Sequence, residues 1–164
     1  MKKKVLAMLL CMAMAVVGLA ACGTQQSETK GGADEALAKR QANIDVVTKF
    51  YEEVFNAHDV SKLDDFMLDN YIQHNATVAD GKEGFKAFTD FFFTLKPEMQ
   101  IYKTFANEDG EVLVFFKCTC NANGNINKVV DIYSLRDDKL AEHWDIVEHD
   151  VGNVESVNGR DLFE

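Results

Sequence analysis

Across residues 43–57 apolar side chains recur at helical spacing. Ile44, Val47, Tyr51 and Val54 form one stripe, and Phe50 and Phe55 widen it. Asn56-Ala57-His58-Asp59 breaks the pattern, and Asp59 is placed to cap a second, short helix carrying Leu63, Phe66 and Met67. Asp80-Gly81-Lys82-Glu83 has the form of a capping box, an aspartate in the cap with a glutamate three residues on. The helix it opens shows Phe85, Phe88, Phe92 and Leu95 on one side, and Pro97 ends it.

After Pro97 the pattern is that of strands. Residues 99–106, 111–120 and 126–135 are separated by turn signals at 107–110 and at Asn123-Gly124. A turn at 136–139 leads into a last strand, LAEHWDIVEHD, over residues 140–150. Alternation puts Leu140, Glu142, Trp144, Ile146 and Glu148 on one side, and Ala141, His143, Asp145, Val147 and His149 on the other. Three helices followed by an antiparallel meander predict an α+β fold. Its helices pack on a strongly curved antiparallel sheet, which forms a cone with an interior pocket.

The chain begins MKKKVLAMLLCMAMAVVGLAAC. Three lysines, a short apolar run and small residues before Cys22 have the form of an export signal over residues 1–21. The run is too short and wrongly flanked for a membrane-spanning helix. Leu19-Ala20-Ala21-Cys22 resembles a bacterial lipobox, which implies cleavage before Cys22 and a diacylglycerol on its sulfur. Two acyl chains anchor stably where one holds only marginally. The expected location is the bacterial cell envelope, lipid-anchored and extracytoplasmic. Residues 22–41, rich in Gly, Ser, Thr, Gln, Ala and Lys without an aromatic, read as a flexible tether, helical at most near 35–40. Residues 42–164 are then a single folded domain.

Loss of the signal removes three lysines and no acids, taking the net charge from −10 to −13. That balance argues against a nucleic-acid partner and against electrostatic adhesion to anionic lipid. Of the four cysteines, Cys11 leaves with the signal and Cys22 is the lipidation site. Cys118 and Cys120 point the same way along a strand, too far apart in extended chain for an easy disulfide and short of a zinc ligand set. They read as small apolar residues on an inward face.

Four segments, taken in order, carry a resemblance. They are Tyr71-Ile72-Gln73-His74-Asn75, then Gly81 and Gly84-Phe85 at a helix start, then Asp131-Ile132-Tyr133-Ser134-Leu135-Arg136, then Glu142-His143-Trp144-Asp145. Over about residues 43–150 the chain is similar to SnoaL-like polyketide-cyclase-type proteins of the nuclear transport factor 2-like, or cystatin-like cone, superfamily. Two positions depart from the family pattern: Ala76 where proline is usual after the His-Asn pair, and Glu148 where glutamine is common. The resemblance implies that Asp145 acts as general acid/base on a strand lining the cone. It also implies that a polar residue on the preceding strand, Asp131, faces it, that His74 enters from the YIQHN segment, and that two cones can pair as a homodimer.

The residues themselves point the same way. Asp131 and Asp145 lie six and seven positions either side of the centre of the 136–139 turn, so a hairpin can make them cross-strand partners. His143 shares a face with Asp145, about 7 Å away by strand rise. The candidate catalytic set is Asp145, His74, His143 and Asp131. Tyr51, Trp144 and Phe88 are candidate ligand contacts, although alternation puts Trp144 on the opposite face. Duller roles stay open: an Asp131–His143 ion pair ordering the hairpin, Asp145 on a solvated rim, His74 in a turn.

No metal is expected. His143 and His149 would stand about 20 Å apart along one strand, and only His74 could complete a site with His143 and Asp145. There is no H-E-x-x-H, nucleophile elbow or dinucleotide glycine pattern. Without a cofactor, two function classes remain. One is an envelope domain binding a small, partly apolar molecule in its cone. The other is an enzyme doing general acid/base chemistry next to a carbonyl, of cyclase, isomerase or dehydratase type.

Overall fold

The structure, a computed structural model, describes residues 21–164, with side chains from residue 31 onward. The signal-like run and the side chain of Cys22 fall outside the described residues. The chain divides into two units, up to Ala38 and from Lys39 on. Helix α1 spans Ala21–Phe50, so the segment expected as a tether is helical. Residues 33–41, ADEALAKRQ, are mostly strong helix formers. Residues 31–38 are nearly all exposed.

In the second unit α1 passes into a π-helical turn, Tyr51–Asn56. The wider turn keeps adjacent residues inward, and Phe50, Tyr51, Val54 and Phe55 are all buried. A short α2, Leu63–Phe66, follows. Asp59 does not cap it: its Oδ1 accepts the Ser61 N–H, and the cap position belongs to Lys62. Helix α3, Gly81–Phe92, starts at Asp80 as expected, but without the capping box. Asp80 Oδ1 instead accepts the Gln73 N–H at 2.8 Å, and Glu83 pairs with Lys86.

The sheet has five strands in the order β1-β5-β4-β3-β2. β2 (Pro97–Ala106), β3 (Glu111–Cys120), β4 (Asn125–Arg136) and β5 (Lys139–Glu148) form the expected antiparallel meander. β1, Met67–Gln73, was not expected as a strand and lies parallel to β5. Only its Met67 and Tyr71 are buried, so the stretch shows no clean alternation to read. Bulges at Tyr102 on β2 and Ala141 on β5 interrupt the ladders and bend the sheet. Its concave face receives α3 and the end of α1. Val47, Phe50 and Val54 join a core with Val112, Val114, Tyr133 and Leu140. Cys118 and Cys120 are free thiols on the inward face of β3.

Candidate functional site

The cone encloses a cavity of about 250 Å³. Its apolar wall comes from the α3 stripe, Phe85, Phe88 and Phe92, with Phe55, Met99, Phe116, Val129 and Val147. The polar side is built by Gln73 at the end of β1 and Asn75 just beyond it, Asp131 and Tyr133 on β4, His143 and Asp145 on β5, and His149 just past its end. Among the described residues no lysine or arginine lines it.

Each polar group is held by a specific bond. Asp131 and Asp145 are cross-strand partners. Asp131, 5 % exposed, accepts hydrogen bonds at Oδ2 from the Tyr51 phenol and from the Tyr133 phenol at 3.2 Å. Its Oδ1 lies 3.5 Å from His143 Nε2. Asp145 Oδ2 accepts from Asn75 Nδ2 at 2.6 Å. Asn75 Oδ1 in turn accepts the Thr77 N–H, which fixes which end of the amide faces Asp145. The same logic fixes His143. Asn75 N–H donates to Gln73 Oε1, so that atom is the oxygen, and the His143 Nδ1 lying 2.8 Å from it is the protonated nitrogen. His143 Nε2 is buried and has no hydrogen-bond partner among the described residues.

Burial, reinforced by the Asp131 carboxylate, pushes the Tyr51 and Tyr133 phenols well above their ordinary values. Burial does the same for Tyr71, which lines the cavity and feels both Asp131 and Asp145. All three phenols are therefore neutral donors. Burial, with Cys120 alongside, pushes the Cys118 thiol up to about 12, too high for a reactive thiolate.

Asp131, His143, Asp145 and Phe88 thus line one cavity. His74 does not. Its ring stacks on Trp144 at 4.3 Å, 4° from parallel, and its Nε2 meets Glu142 at 3.2 Å, on the outer face of the sheet. Trp144 is likewise no pocket wall. The bulge at Ala141 precedes it and leaves the alternation of residues 142–149 intact. Tyr51 is fully buried and reaches the site through Asp131 and through Tyr133, whose phenol lies 3.4 Å from its own. Tyr71, Gln73, Asn75 and Tyr133 were missed as site residues. The signal was available: within YIQHN, period two turns Tyr71, Gln73 and Asn75 one way and His74 the other.

One donor atom from each of Asp131, His143 and Asp145 lies within 4.8 Å of the others. Counting along one strand had left this set out, because Asp131 joins it from across the hairpin.

Among solved structures the chain resembles Bal32a, from a soil-derived mobile gene cassette, at 15 % identity and TM-score 0.58 over 66 % of this chain and 91 % of that one. It resembles an NTF2-like protein from Mesorhizobium loti at 16 % identity and TM-score 0.57, covering 67 % and 93 %. IdmH from Streptomyces antibioticus matches at 16 % identity and TM-score 0.53, covering 65 % and 91 %. These likenesses establish the cone fold. No curated protein matches the chain. The model of one family, SnoaL-like polyketide cyclase, matches residues 45–149, which spans every element that builds the cavity, and the chain belongs to that family.

Proposed function

We propose that the domain binds a small, partly apolar carbonyl compound in the cone and moves a proton on it without a cofactor. The observation that carries this reading is the buried His143 Nε2, which among the described residues has no hydrogen-bond partner and faces only the Asp131 carboxylate at 3.5 Å, while Nδ1 is held by Gln73. A lone pair fixed in this way is placed to take a proton. Asp131 Oδ1, 3.5 Å away, would stabilise the imidazolium that results. Tyr71, a neutral phenol on the cavity wall, would donate to the substrate oxygen as charge develops there. Asp145 supplies the second acid/base group. This moves the base from Asp145 to His143, because Asn75 already engages Asp145.

A second reading is a domain that holds its ligand unchanged, and the N-terminal pattern favours it. Residues 1–21 followed by Cys22 support export and lipid anchoring in the bacterial envelope, where substrates made inside cells are scarce. The two readings separate in one experiment. Candidate carbonyl compounds are incubated with wild type and with His143→Gln, and bound ligand and product are followed by mass spectrometry. The enzyme reading expects turnover that falls by roughly 10² or more in the variant while binding persists. Ligands that bind wild type and emerge unchanged across the set would leave only the binding role. The anchor has its own test: cells fed a clickable fatty acid should label the protein, and Cys22→Ser should remove the label.

A further inference from the structure

We propose that Asp131, His143 and Asp145 form a binding site for one divalent first-row transition-metal ion inside the cone. Donors held about 2.0–2.2 Å from an ion sit roughly 3–4 Å from one another. His143 Nε2 and Asp131 Oδ1 are already 3.5 Å apart, and all three donors lie within 4.8 Å. Small side-chain rotations would gather the set.

The supporting bonds are those a metal site needs. A ligating histidine ordinarily gives its other ring N–H to a carbonyl, and ligating carboxylates accept hydrogen bonds on the oxygen turned away from the ion. Here His143 Nδ1–H donates to Gln73 Oε1. Asp131 Oδ2 takes the Tyr51 and Tyr133 phenols, and Asp145 Oδ2 takes the Asn75 amide. Each residue therefore keeps one donor atom free, and the three share the cavity face of one hairpin.

Two independent facts say that the cluster wants a cation. His143 is 8 % exposed and its Nε2, 3.5 Å from Asp131 Oδ1, makes no hydrogen bond among the described residues, an expensive way to leave a buried nitrogen. Asp131 and Asp145 also face each other as cross-strand partners in a cavity that no lysine or arginine among the described residues lines. Like charges so placed repel, and an ion between them would reverse the sign of that interaction. One imidazole and two carboxylates suit Zn²⁺, Fe²⁺, Co²⁺ or Mn²⁺ rather than a soft ion. All three ligands come from two adjacent strands, so the remaining coordination positions open toward the cavity.

This inference does not rest on the proton-transfer reading. An ion would use the same His143 lone pair, so the metal-loaded and base-competent cones are alternative states of one site.

The test is titration of the purified full-length chain with Co²⁺, followed by calorimetry and visible absorption, with Zn²⁺ followed by imidazole NMR. One ion should bind per chain, without a thiolate charge-transfer band. Zn²⁺ should shift the His143 nitrogen resonances and leave those of His58 and His74 in place. His143→Gln and Asp131→Asn should each weaken binding at least tenfold, and Gln73→Leu by about tenfold through lost orientation of the imidazole. Cys118→Ser should change nothing. The NMR readout needs no variant to fold. Absence of binding to wild type, a thiolate band, unshifted His143 resonances, or full affinity in His143→Gln would each overturn the site.

Discussion

Asp131 on β4 and Asp145 on β5 stand directly opposite each other, and one extra residue sets that register. The turn between their strands centres on Asp137-Asp138, both with positive φ. Next to it Arg136 pairs with Lys139, and Leu135 with Leu140. Were that register kept, Asp131 would face Trp144 and the indole would enter the cone. Instead Ala141 bulges out of the ladder, and from Ser134–Glu142 onward the pairing is shifted by one. A one-residue shift exchanges the faces of a strand. Leu140 can therefore point into the core while His143 and Asp145 still face the cavity.

The two aspartates should respond oppositely to neutralisation. Asp145→Asn removes a like-charge pair and keeps a side chain that can accept from Asn75, so stability at neutral pH should hold or rise by up to about 1 kcal/mol. Asp131→Asn weakens bonds from two phenols to a buried charge and should cost about 1.5–3 kcal/mol. Urea unfolding of both variants measures the contrast; equal effects would mean that the pair does not repel.

Three of the chain's four tyrosines, Tyr51, Tyr71 and Tyr133, have phenols raised by burial. A raised folded-state pKa gives stability that is complete below the unfolded tyrosine value of about 10 and is lost as pH climbs through the folded value. Alkaline unfolding should therefore begin near pH 10 and steepen above it. Phenolate absorbance from these three should appear only together with loss of near-ultraviolet circular dichroism. Tyr51→Phe, which withdraws the donor from Asp131, should lower stability by about 2 kcal/mol at neutral pH. A full phenolate signal from a still-folded chain would contradict the burial.

His74 and the sole tryptophan form a stacked pair on the outer face of the sheet. His74→Ala should change Trp144 emission and cost about 1 kcal/mol or less for an exposed stack. Ligand binding and any turnover should stay at the wild-type level. A large loss of binding in this variant would return His74 to the site.

Much of this layout was legible in the chain. The β2–β5 meander and the α3 stripe follow from apolar spacing and turn residues; alternation puts His143 and Asp145 on one face, and the family resemblance turns that face inward. β1 was not legible, because a parallel edge strand anchored by Met67 and Tyr71 shows no run of alternation. The face of Leu140 was misread for a related reason: a bulge is set by the partner strand, and no pattern within β5 announces it. The capping box at Asp80 does not form, since Asp80 Oδ1 accepts the Gln73 N–H instead. His74 was drawn into the site by residue type, although its neighbours Gln73 and Asn75 had the inward parity.

Gly84 fixes how closely α3 approaches the loop before it. A Cβ at this position would lie 2.1 Å from the Ala79 carbonyl oxygen and 2.4 Å from its carbon, both backbone atoms that cannot swing aside. Gly84→Ala should therefore destabilise by about 1–3 kcal/mol, the cost of overpacking. It should also displace Phe85, Phe88 and Phe92 together, since all three ride on this helix into the cavity wall. Thermal melts and affinity for a cavity probe should fall in step; a neutral substitution would mean that the helix start has slack.

The tautomer of His143 is the most direct test of the site's chemistry. Asn75 N–H can only donate, so the Gln73 atom 3.0 Å from it is oxygen. That oxygen can only accept, so His143 Nδ1 must carry the proton in this bond. In the neutral ring Nε2 is then the unprotonated nitrogen, and it is the atom turned toward Asp131. Two-dimensional nitrogen-15 NMR of the neutral imidazole should show Nδ1 in the protonated range and Nε2 in the unprotonated range. Gln73→Leu removes the acceptor, so the two tautomers should mix and any turnover should fall with the fraction of correctly poised ring. The near-isosteric Gln73→Glu keeps an acceptor oxygen and should keep the tautomer. A wild-type ring found protonated at Nε2 would leave no free lone pair facing the cavity, and both the base and the ion-binding roles of His143 would fall with it.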